Sequence, residues 1–311
     1  MSGEHNHGGQ THRWRLAVAF GITASILVAE VVGALITGSL ALLVDAGHML
    51  TDTVGLLMAL VAATLMLRPA TAQRTWGWRR AETLAAGAQA TVLLGVGIYA
   101  FIEGVQRLLN PPEVSSTGLL LAFGIIGLLG NIASLLVLSA GRSANLNMRA
   151  AFLEVLNDAL GSVAVIISAT VIMTTGWTRA DALAGMLIAT LIVPRAIKIL
   201  RAAGNVLLEA TPKGLTLADV RDHILALPHV REVHDLHASQ IATGLPVLTA
   251  HVVLDDSCFH DGHAPQLLDE LQACVAEHFD VTIEHSTFQL EPASHATHEQ
   301  GIHRQESLQA R

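Results

Sequence analysis

Six stretches of this chain are long and apolar enough to cross a bilayer, which removes most folds from consideration. In hydrocarbon only helices and closed barrels satisfy their own backbone polar groups. The runs are Leu16 to Ile36, Leu40 to Leu67, Thr83 to Ile102, Gly118 to Ala140, Ala150 to Thr174 and Trp177 to Leu200. Each reaches the roughly 20 residues that a spanning helix needs. The last is the weakest, because only 13 uncharged residues separate Asp181 from Arg195, and it spans if its charged ends snorkel into the headgroups. Aromatic residues are only 4% of the chain, so the apolar mass is Ala, Leu, Val, Ile and Gly, which let spanning helices pack closely. Two cysteines, Cys258 and Cys274, are too few for a disulfide framework.

Charge divides the chain in two. Residues 206–311 hold 16 Asp/Glu against 5 Lys/Arg and 12 of the 16 histidines, whereas residues 1–205 carry a net charge of +3. The expected organisation is a polar, His-containing tail (1–13), a six-helix transmembrane domain (14–204), a small acidic domain (205–292) and a polar C-terminal tail (293–311). An acidic domain repels nucleic acid and attracts cations, so no nucleic-acid partner is expected. Eleven basic residues lie on one side of the six spans, among them Arg13, Arg15, Arg68, Arg80, Arg149, Arg195 and Lys198, against Arg107 and Arg179 on the other. The positive-inside rule therefore puts both termini and the acidic domain in the cytoplasm, a reducing compartment that suits unpaired cysteines. The expected location is integral to a membrane, the bacterial inner (plasma) membrane.

After Asn205 long apolar runs give way to short alternating segments. Thr216-Leu-Ala-Asp219 reads as a capping box ahead of a helix carrying Val220, Ile224 and Leu227, which stops before Pro228. Val230 to Ile241 and Pro246 to Leu254 read as strands around a turn at Gly244, Pro265 to His278 as a helix and Val281 to Leu290 as a strand. The order αββαβ predicts a two-layer α+β domain.

Ionisable residues inside a membrane are costly and mark a functional site by default. Asp45, His48 and Asp52 fall at i, i+3 and i+7 of the second helix and share one face. At about 1.5 Å per residue, Asp52 lies roughly 18 Å from Leu40 and roughly 22 Å from Leu67, near mid-membrane. Glu154 and Asp158 form an i, i+4 pair on the fifth helix. One imidazole and three carboxylates, from His48, Asp52, Glu154 and Asp158, make a tetrahedral set that a divalent metal such as zinc accepts, with Asp45 and Asn157 beside it. A three-coordinate site completed by water, with Glu154 turned away, also fits the spacing. Glu30 and Asn131 are single polar residues on their helices, and helix packing and support of the site are equal readings for them.

Several motifs carry a family resemblance. Ser39-Leu-Ala-Leu-Leu-Val-Asp-Ala-Gly-His-Met-Leu-Thr-Asp52, Gly77-Trp-Arg-Arg-Ala-Glu82, Gln106-Arg-Leu-Leu-Asn-Pro-Pro-Glu113 and Asn157-Asp-Ala-Leu-Gly-Ser162 occur in order. Over about Trp14 to Glu291 the chain resembles the cation diffusion facilitators, exporters of zinc and related divalent metals. The resemblance implies a transport site of two His-x-x-x-Asp pairs, the first being His48 and Asp52. In the second, Glu154 stands where the family's usual His would be. Exchanging an imidazole for a carboxylate makes the site harder and more anionic, which predicts weaker discrimination against cations such as manganese, iron or cobalt.

For the acidic domain the resemblance implies a metallochaperone-like fold that mediates homodimerisation and binds regulatory zinc. His234, His251 and Glu291 match regulatory ligands by motif position. Strand parity puts His285 on the face of Glu291 and sends His234 and His237 to opposite faces, with His263 a further candidate on a loop. Ordinary surface histidines are the competing reading. The tail histidines His5, His7, His12, His295, His298 and His303 either collect metal or are inert. Arg80 and Glu209 occupy family positions of a charge pair joining the two domains, against a reading of each as a headgroup-facing charge.

Metal binds deprotonated carboxylate and neutral imidazole, so loading releases protons, and a site facing each side in turn becomes a metal/proton antiporter. Proton-coupled export of zinc, with cadmium, cobalt, manganese or iron as further cargo, is the expected function. His48 is the natural proton carrier, with an unperturbed pKa near neutrality. The alternatives are an intramembrane metalloenzyme, which lacks a His-Glu-x-x-His signature, and a membrane metal sensor.

Overall fold

A computed structural model describes residues 7–112, 116–139 and 146–295. Arg142, His298, His303 and His5 lie outside the described residues, as do the side chains of His7, His12, Arg13, Arg15 and Arg149.

Six helices dominate: α1 (His7–Thr37), α2 (Leu40–Met66), α3 (Ala81–Leu109), α4 (Thr117–Ser139), α5 (Leu146–Thr175) and α6 (Arg179–Leu207). All six are long and apolar enough to cross a membrane. The first begins at His7 rather than near Leu16, so helix extends into the stretch expected to be a polar tail. The chain forms two compact units, one within Met1–Leu60 and Ala86–Leu200, the other within Val61–Ala85 and Arg201–Arg311.

In the first unit α4 packs against both α1 and α5. Buried Leu40, Leu93, Leu120, Val165, Ile172, Ile188 and Ile192 form its centre, while Leu35, Leu57, Leu129, Leu136 and Leu191 point outward, as they must where the surroundings are hydrocarbon. Small residues permit the close approach: the Phe123 ring lies where a Cβ on Gly33 would sit, 2.7 Å from its position. The sixth helix contains Pro194, which lacks the amide that would bond to the carbonyl of Thr190 one turn earlier.

In the second unit, α7 (Leu217–Leu225), β1 (Val230–Ala242), β2 (Leu245–Leu254), a 3-10 turn (Asp256–Phe259), α8 (His263–Glu277) and β3 (His285–Pro292) realise the expected αββαβ order. A turn with Gly244 at φ 73° joins β1 to β2 in an antiparallel hairpin, and α8 supplies the crossover that lets β3 pair parallel to β2. Val220 and Ile224 of α7 and Leu267, Leu271 and Val275 of α8 pack on Val233, Leu248, Ala250 and Val252 of the sheet. Each fully buried Val, Leu or Ile among them is worth about 1.5–3 kcal/mol. Two local expectations need correction. Thr216 takes the N-cap position with extended backbone, but its hydroxyl makes no cap hydrogen bond, so the capping box does not close. The last strand begins at His285 rather than Val281, because Ile283 is drawn into the core beneath the sheet. Cys258 and Cys274 are free and buried, and burial pushes the Cys274 thiol up from its ordinary pKa.

Candidate metal centre

Two helices present the intramembrane ligands to one another. On α2 the i, i+4 spacing sets His48 Nε2 3.5 Å from Asp52 Oδ2. From α5, Asp158 Oδ1 stands 3.7 Å and Glu154 Oε1 4.0 Å from the same imidazole nitrogen. Ligand atoms of His48, Asp52 and Glu154 all lie within 4.8 Å of one another. A tetrahedral zinc with bonds of about 2.0–2.1 Å spaces its ligands about 3.3 Å apart, against 3.5–4.0 Å from the imidazole nitrogen to the three carboxylates here. His48 and Asp158 are buried, and Asp158 Oδ1 has no hydrogen-bond partner, an orphan that a cation would satisfy.

Polar neighbours shape the cluster. From α3, Gln89 Nε2 donates to Asp52 Oδ1 at 3.4 Å. Asp45 is buried against α5 where Gly161 lacks a side chain: a Cβ there would come within 2.4 Å of Asp45 Oδ1. That close approach explains why the Asn157-Asp-Ala-Leu-Gly-Ser162 motif carries glycine. Asn157 itself is exposed. Asn131 is buried and donates from Nδ2 to Ser162 Oγ at 3.2 Å, linking α4 to α5. Glu30 is buried too, with Oε1 3.1 Å from where a Cβ on Gly127 would be.

The residue that linear reading misplaced is Arg195. Expected at the headgroups, it instead grips Glu154: Nη1 donates to Oε1, and Nη2 donates to Oε2 at 2.6 Å. Nη1 also lies 4.0 Å from Asp52 Oδ2. Asp181, read only as the other charged end of α6, is buried and caps α2. It accepts from Ser39 Oγ, from the Leu40 amide at 2.6 Å and from the Ala41 amide at 3.4 Å. Arg107 Nη1 sits 3.9 Å from Asp181 and donates to the Gly38 carbonyl at 2.7 Å. The signal available in the sequence was the excess of buried acid, which demands a partner.

A second cluster lies on the three-stranded sheet. His234 pairs with His251 across β1 and β2, and Glu291 follows two residues after Gln289, the β3 partner of His251. The buried Glu291 Oε1 is 3.1 Å from His234 Nε2 and 3.3 Å from His251 Nδ1. An irregularity in β1 puts Asp235 at φ 48°, which brings its Oδ2 3.7 Å from His251 Nε2 and its Oδ1 2.8 Å from His237 Nε2. Alternation along a regular strand did not anticipate that bulge. His285 is not brought to this cluster and instead packs edge-on to Trp76 with ring centroids 4.8 Å apart. His263 also lies apart, with Nδ1 2.8 Å from Asp261 Oδ1, a hydrogen bond that holds the Asp261 carboxyl below its ordinary pKa. Arg80 Nη2 donates to Glu209 Oε1 at 2.8 Å, and an ion pair this exposed is worth about 0–1 kcal/mol.

The family model for the cation efflux transmembrane domain matches residues 16–208, and that for the cation efflux protein's cytoplasmic domain matches 212–293. The chain belongs to the cation diffusion facilitator family. It is a membrane transporter, not an enzyme. Over 292 residues, covering 94% of this chain and 91% of the relative, it is 42% identical to the metal cation efflux system protein CzcD of Cupriavidus metallidurans. It is 42% identical over 279 residues, 89% of this chain and 87% of the relative, to the zinc transporter ZitB of Escherichia coli. Similarity extends to the cadmium, cobalt and zinc/H(+)-K(+) antiporter of Bacillus subtilis, at 34% over 293 residues, 94% of this chain and 93% of the relative.

Proposed function

We propose that this transporter exports divalent metal cations, zinc foremost, from the cytoplasm in exchange for protons. The observation that carries the reading is the convergence of three carboxylates, Asp52, Glu154 and Asp158, from two helices on the imidazole nitrogen of His48. All four bind metal in their deprotonated forms, so protons compete with metal for the same atoms, and a site exposed to each side in turn converts a proton gradient into metal efflux. The printed names of the relatives, which speak of zinc, cadmium and cobalt, support this cargo class.

The remaining assignments go with it. The membrane part spans residues 14–204 and the sheet domain 205–292, with both termini in the cytoplasm of a bacterium and the protein in its inner membrane. Two copies associate through the sheet domain, where His234, His251 and Glu291 hold a regulatory zinc, with Asp235 beside them. His251→Ala in the full-length protein is expected to remove one zinc per chain from a calorimetric titration while leaving the weight of the purified particle unchanged. An unaltered stoichiometry would count against that site.

Transport is tested in inside-out vesicles. An imposed pH gradient, acid inside, should drive uptake of radioactive zinc several-fold above the rate without a gradient, and a protonophore should abolish the difference. Uptake indifferent to pH but responsive to a potassium gradient would replace the proton as counter-ion, a case that the Bacillus relative's name makes worth including.

A further inference from the structure

We propose that Arg195 is the resident counter-charge of the transport site, a positioning residue that sets how tightly Glu154 can hold the metal and allows the loaded site to be electrically neutral. This rests on the metal-transport reading of the same site.

The guanidinium meets Glu154 with two parallel hydrogen bonds, the geometry in which Arg and carboxylate bind most strongly. Among the described residues it is the one Arg or Lys within 4.0 Å of the ligand carboxylates, and it reaches Asp52 as well as Glu154. Both partners are largely sheltered, with 33% of the Arg195 side chain and 28% of that of Glu154 exposed. Three ionised carboxylates around a divalent cation would leave a net negative charge at a depth where charge is expensive. Three carboxylates, one guanidinium and one divalent cation leave none. Each carboxylate oxygen has two lone pairs, so Glu154 Oε1 can accept from Arg195 and still face the metal, though as a poorer ligand than a carboxylate unshared. Arg195 therefore weakens the grip of an otherwise over-anionic site and makes release possible.

Charge arithmetic orders four proteins. Arg195→Gln leaves the site one charge more negative than wild type, Glu154→His one charge less negative, and Glu154→His/Arg195→Gln restores the wild-type balance. Zinc affinity of the purified full-length proteins, measured at neutral pH by competition with a chromophoric chelator and corrected by subtracting the Asp52→Ala protein, should follow that order. We expect Arg195→Gln to bind at least about fivefold tighter, with lower KM and lower maximal uptake rate, and Glu154→His to bind at least about tenfold weaker. The double variant should return to within about threefold of wild type, and Arg195→Lys, which keeps the charge without the fork, should stay close to it.

Equal affinities for Glu154→His and the double variant overturn the proposal, as does weaker binding by Arg195→Gln than by wild type. If Arg195 merely tied α6 to α5, the single and double variants would lose thermal stability together with no charge-ordered affinity. Should Arg195→Gln fail to accumulate, the comparison of Glu154→His with the double variant decides alone. A wild-type protein that binds zinc no better than Asp52→Ala refutes the metal-transport reading instead, so the two failures are distinguishable.

Discussion

Asp52→Ala is expected to reduce zinc uptake into inside-out vesicles to the level of vesicles without the transporter. Asp52, a ligand in the proposed site, lies 3.5 Å from His48, is held by Gln89 at 3.4 Å and stands 4.0 Å from Arg195. Its loss would remove one of the four proposed donors and one of their three carboxylates. Loss of a supporting residue around a metal typically costs about 10–100-fold in affinity, and loss of a direct ligand should exceed about 100-fold. Asp52→Glu keeps the charge and displaces it by one methylene, so partial activity is expected there. Full activity in Asp52→Ala, with normal protein in the membrane, would remove the intramembrane cluster from the transport path.

The second large effect is structural and lies at the N-terminal end of α2. Asp181→Ala should lower the stability of the detergent-solubilised protein by about 3 kcal/mol or more, since three donors lose their acceptor at about 1–3 kcal/mol for each one left buried and unsatisfied. The Ser39 hydroxyl and the amides of Leu40 and Ala41 would lose their shared acceptor, while Arg107 would keep its ion pair with Glu103 at 2.8 Å. Asp181→Asn retains one carbonyl oxygen for those donors and should cost about 1–2 kcal/mol, as for loss of a helix cap. Equal losses in the two variants, followed by thermal unfolding, would mean that a neutral acceptor contributes nothing there and that the carboxylate's charge carries the whole effect.

These two residues also mark where linear reading succeeds and stops. Lipid leaves so few options that six apolar runs declare six helices, and the four-residue step from His48 to Asp52 declares a shared face, because both depend only on helical geometry along one segment. Arg195 and Asp181 bound the least apolar of those runs, and a charge at the end of a run reads equally well as a headgroup anchor or a buried partner. Only the register between α6 and its neighbours separates the two, and periodicity within one helix carries no information about it. The sheet domain shows the same limit. Alternation along β3 grouped His285 with Glu291, yet Trp76, a residue more than two hundred positions away in the chain, engages His285. The bulge that turns Asp235 toward His251 is equally a property of two strands rather than one.

Pro194 precedes Arg195 directly, so the weakest point in the backbone ladder of α6 is also the point from which the guanidinium hangs. Nearer its start the same helix is pinned to α2 through Asp181. A rod clamped near one end and notched in its shaft yields at the notch. Flexing there would swing the arginine toward or away from Glu154 without loosening the clamp, coupling helix bending to the electrical balance of the cargo compartment.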